Sequence, residues 1–153
     1  MTESFIGAAA LIPNPKLEPL AFLIGEWRTT GSHPMVPDKE LCGRTSFAWH
    51  EGGAFLIMRS EIEDPQFPSG IAIIGSDDAG AFAMTYFDER GVSRIIRVMV
   101  GDRTVTWEHD DAKFAQSLTI RAHGDHKLVS KGLMSKGGGA WEDDLSQVFE
   151  RDR

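Results

Sequence analysis

With one cysteine, Cys42, in 153 residues, the chain can form no internal disulfide and no site built from several thiolates, and a reducing compartment fits it best. Basic residues are also in deficit. Sixteen Lys and Arg against 23 Asp and Glu leave a formal charge of -7 and a pI near 5.2, without the cationic footprint of a nucleic-acid binder. No stretch approaches the roughly 20 apolar residues of a membrane helix, so no membrane span is expected. The short apolar run Phe5 to Ile12 follows Glu3 with no basic residue ahead of it, so a secretory signal is not expected and a cytoplasmic location is. Catalytic signatures are missing too: there is no nucleophile elbow, phosphate-cradling loop or dinucleotide fingerprint. Gly137-Gly138-Gly139 follows Lys136 without the rest of a phosphate loop.

What the chain does have is β pattern. Its length suits one domain over residues 1–153, and apolar residues at 41% with charged residues at 25% suit a packed globular core. Residues 1–20, with an apolar stretch and prolines at 13, 15 and 19, read as an arm or lid feeding one short helix near Leu17 to Leu23. From Gly25 onward, segments rich in Val, Ile, Thr, Phe and Trp alternate with turn signals. Strands are expected near Glu26–His33, Glu40–His50, Ala54–Ile62, Gly70–Ser76, Ala81–Asp88, Val92–Val100, Arg103–His109, Phe114–Ala122, Lys127–Ser135 and Ala140–Arg151. Turns such as Asp77-Asp78-Ala79-Gly80 suit tight hairpins, so sequential strands should pair antiparallel. About ten such strands close most economically into an up-and-down barrel, because closure removes the unpaired edges.

The segment Leu23-Ile24-Gly25-Glu26-Trp27 enters the first strand with a Gly-x-Trp pattern. Together with Trp49 and Glu51-Gly52-Gly53, Ile73-Ile74-Gly75-Ser76-Asp77, and Tyr86-Phe87-Asp88 with Gly91, it resembles an uncharacterised bacterial family of small lipocalin-like (calycin) proteins. More distantly it resembles nitrobindin and fatty-acid-binding-protein-like barrels. The resemblance implies an internal pocket and an arginine of the last strand, here Arg151, covering Trp27 at the closed end. Nitrobindin carries its haem on a histidine close to the C-terminus, and Leu145 to Arg153 contains none. Haem binding is therefore the weakest alternative, and no cofactor is expected.

Alternation along strands selects one face of each. Trp27, Thr29, Gly31 and His33 share a face, as do Thr45, Phe47 and Trp49 on the second strand. Phe82, Met84 and Tyr86 follow on the fifth strand, Val105, Trp107 and His109 on the seventh, and Phe114, Gln116, Leu118 and Ile120 on the eighth. The third and sixth strands are apolar on both faces. Among their arginines, Arg97 is the expected inward one, able to hold a carboxylate, because Ile95 and Met99 share its face. The candidate pocket residues are thus His33, Thr45, Phe47, Trp49, Met84, Tyr86, Arg97, Trp107, His109 and Leu118. His123-Gly124-Asp125-His126 reads as a solvated turn, and no metal is expected. Glu142, Asp143 and Asp144 read as a solvated acidic rim.

Two functions remain open. One is a carrier or sequestering protein for a small, mainly hydrophobic molecule in the barrel. The other is a cofactor-independent enzyme using His33, His109, Tyr86 or an inward arginine on an aromatic or carbonyl compound. Monomer and homodimer are both open.

Overall fold

The computed structural model describes residues 12–152, so the apolar run from Phe5 lies almost wholly outside the described residues. Ten strands follow one short helix: β1 (Gly25–Ser32), β2 (Leu41–His50), β3 (Phe55–Ile62), β4 (Gly70–Ser76) and β5 (Phe82–Asp88), then β6 (Ser93–Gly101), β7 (Thr104–His109), β8 (Phe114–Ala122), β9 (Lys127–Lys136) and β10 (Glu142–Arg151). Each pairs antiparallel with its neighbour in sequence, and β1 closes on β10 through Trp27 opposite Arg151. The expected barrel is the observed one. No helix among the described residues is long and apolar enough to cross a membrane.

The meander sorts the connections onto two ends. At one end stand the start of β1, the end of β2 and the 3-10 turn Glu51–Gly53; at the other stand the end of β1, the start of β2 and the loops 33–40 and 63–69. The first end is plugged. The expected helix is there, as a 3-10 helix over Pro15–Leu23, in which Pro19 lacks the amide donor an α-helical ladder would use at that position. Three residues per turn bring Leu17, Leu20 and Leu23 onto one side, and all three are fully buried against the barrel core.

Trp27 follows the plug. Its indole N–H donates to the Leu23 carbonyl at 2.8 Å, and the Arg151 guanidinium lies 4.2 Å from its ring centroid. That guanidinium is fixed by donating to the carbonyls of Ile24 and Asp125. Gly25 sits at φ +147°, and a Cβ there would run into Arg151 Nη1. The Gly-x-Trp pattern therefore has a steric origin in this chain: the glycine leaves room for the cation that covers the tryptophan, an arrangement contributing about 0.5–2 kcal/mol.

Candidate functional site

Between the plug and the open end the barrel encloses a cavity of about 740 Å3. Its deep end is aromatic. Phe47 on β2 and Trp107 on β7 come from opposite walls, with ring centroids 6.2 Å apart, while Met58, Met84 and Ile96 line the wall between β2 and β7. The alternation that makes each strand amphipathic sends these side chains inward.

Eight of the ten residues selected from the sequence line this cavity: His33, Thr45, Phe47, Met84, Tyr86, Trp107, His109 and Leu118. The other two do not. Trp49 shares the face of Phe47 and pairs with Leu56, but β1 offers its last partner at Phe47. Trp49 thus projects past the start of β1 at the plugged end, 36% exposed. Arg97 points outward and pairs with Glu108 on the surface. The inward residues of β6 are Arg94, Ile96, Val98 and Val100, so Arg94 is the arginine on the cavity wall. Ile95, on the face of Arg97, is 83% exposed on the outer wall, and no apolar contrast distinguishes the two faces of this strand.

Asp144 was also misread. Glu142 and Asp143 are exposed as expected, but Asp144 turns inward with only 14% of its side chain exposed. The register explains this. Asp143 faces Leu133 while Ser146 faces Lys131, so β10 carries one residue more than β9 across this interval. Such a bulge re-aims side chains, and here both Asp144 and Leu145 reach the cavity.

A chain of hydrogen bonds runs through Asp144 along one side of the open end, from β1 to β6. His33 lies 2.8 Å from one of its oxygens through Nε2. The Met35 backbone N–H donates to Nδ1 of the same ring at 3.0 Å, so Nε2 carries the hydrogen and donates to Asp144. The other Asp144 oxygen accepts from Gln116 Nε2 at 2.8 Å, and Gln116 Oε1 accepts from Arg94 Nη1 at 2.7 Å. Arg94 also lies 5.6 Å from the Phe114 ring centroid. Loops 33–40 and 63–69 meet at this mouth, where the rings of His33 and Phe67 stand edge to face at 5.4 Å. Lys39 and Asp64 bridge the same loops at 2.7 Å.

Tyr86 forms a separate polar group. Its hydroxyl donates to Asp88 at 2.9 Å, and Arg90 holds the same carboxylate at 2.6 Å. Burial, then the bond to Asp88, pushes the phenol up to about 12. The Arg90 guanidinium, reinforced by Tyr86 and opposed by burial, holds Asp88 down at about 2. Neither His33, with both ring nitrogens engaged, nor Tyr86, committed as a donor, stands ready as a base. Among the described residues the His109 ring on the lining makes no hydrogen bond.

No protein-family model matches the chain, and no curated protein does. Solved structures do match, and what they share with it is a fold. Rv2717c from M. tuberculosis is similar with a TM-score of 0.65 and 21% identity, over 91% of this chain and 98% of that one. An S-type phycobiliprotein lyase from Guillardia theta is similar with a TM-score of 0.55 and 10% identity, over 87% of this chain and 90% of that one.

Proposed function

We propose that this protein is a single-domain, lipocalin-like barrel that binds a small, mainly hydrophobic molecule in its cavity, as a carrier or a sequestering protein. The observation that carries the reading is the cavity itself: about 740 Å3 of space, apolar at depth and ringed by polar groups at one open end. A barrel of this size with a filled core would not leave such a volume, and its wall composition is that of a ligand pocket. Burial of apolar surface at about 25 cal/mol per Å2, less the cost of association, supports micromolar affinity.

Titration with a neutral polarity-sensitive dye such as N-phenylnaphthylamine tests it. The folded protein should bind about one dye per chain and quench tryptophan emission, because Trp107 lies on the lining. Thr45, 4% exposed, lines the cavity, whereas Ala48 on the same strand is exposed outside. Thr45→Trp should abolish binding in a barrel that circular dichroism shows to be folded, and Ala48→Trp should leave it intact. Dye bound equally by both variants, or by neither they nor the wild type, contradicts the reading.

A further inference from the structure

Arg94 is a cation on the cavity wall, among the polar groups of the mouth and beside the apolar depth, and no carboxylate among the described residues pairs with it. The guanidinium donates to Gln116 Oε1 through Nη1 and lies against Phe114, but it forms no ion pair with any carboxylate among the described residues. The acids of the lining are occupied or remote. Asp144 spends its two oxygens on His33 and Gln116, and Glu61 is exposed. Of the other cations of the lining, Arg90 is committed to Asp88 and Lys136 is exposed at the rim. One neutral amide thus separates the negative end of the chain, Asp144, from its positive end, Arg94.

We infer that Arg94 is the anchor for a carboxylate on the bound molecule, so that the ligand is an amphipathic monoanion with its head at the mouth and its apolar body over Phe47 and Trp107. This rests on the carrier reading. Gln116 fixes one edge of the guanidinium and leaves the remaining N–H groups to pair with a planar oxyanion in the two-bond geometry that a carboxylate matches. The level along the strand suits it as well. Arg94 stands four residues from Val98, which faces Trp107 across the ladder, about 13 Å along β6 at the usual rise. A molecule held at Arg94 therefore has room for an extended apolar tail before it reaches the aromatic floor. Gln116 and Asp144 act as positioning residues, with the β10 bulge supplying the second.

Displacement of the neutral dye by dodecanoate and by dodecanol separates the head group from the tail. The readout is the ratio of the two affinities. In the wild type the ratio should favour dodecanoate by about ten-fold more than it does in Arg94→Gln, the effect of one charge-assisted pair. Dodecanol should bind both proteins alike. Arg97→Gln, on the outer face of the same strand, is the control and should leave the ratio unchanged. Dye and dodecanol binding with a ratio insensitive to Arg94→Gln overturns the anchor and leaves the carrier standing. Failure of dye and both ligands to bind the folded wild type overturns the carrier, and the anchor with it.

Discussion

Tyr86 is the chain's one tyrosine, so its phenol can be titrated by ultraviolet absorbance without interference. In the fold its hydroxyl is half-buried and donates to a carboxylate, and both effects favour the protonated form. The absorbance change should centre near pH 12, against about 10 for the unfolded chain. A folded-state value above the unfolded one stabilises the fold below pH 10, and this contribution is lost as pH rises through 12. Asp88→Asn removes the acceptor charge and should bring the midpoint down, though not to the unfolded value, because burial is the larger cause. A wild-type midpoint near 10, with circular dichroism still native at that pH, would contradict the Tyr86–Asp88–Arg90 arrangement.

At the scale of the element, the bulge in β10 decides which acid enters the cavity. Opposite it, Gly132 has no room for a side chain: a Cβ there would run into the backbone carbonyl oxygen of Leu145. Gly132→Ala should therefore destabilise the protein by about 1–3 kcal/mol, as overpacking does, read as a lower urea midpoint with unchanged slope. An unchanged midpoint would mean that the bulge is not held where the register puts it. The same element shows where sequence reading stops. Strand positions were legible because turn residues bracket them, and the inner faces of β5, β7 and β8 because apolar residues alternate within them; on β1 the phase came from Trp27 alone. The bulge was not, since nothing in Glu142-Asp143-Asp144 marks an inserted residue, and one insertion shifts the phase of every side chain before it. On β6 the apolar outer residues Ile95 and Met99 hid the inward Arg94. On β2 the parity of Trp49 was right but its level was not, because level depends on where the neighbouring strand begins.

The whole molecule has a polar direction. Plug, tryptophan and covering arginine close one end, and the cavity opens at the other between two loops that touch through His33 and Phe67. The outer wall complicates any binding experiment. Ile73, Phe87, Ile95 and Met99, on adjacent strands β4 to β6, are each more than 40% exposed, and an outer apolar patch can itself take up an apolar molecule. Methionine methyls distinguish the two locations. Met58, Met84 and Met134 line the cavity, whereas Met99 lies on the outer wall. In protein labelled with carbon isotope at the methionine methyls, saturating dodecanoate should shift the resonances of Met58, Met84 and Met134 and leave that of Met99 in place. A shift confined to Met99, with the three cavity methyls unmoved, would place the ligand on the outer wall and contradict a binding function inside the barrel.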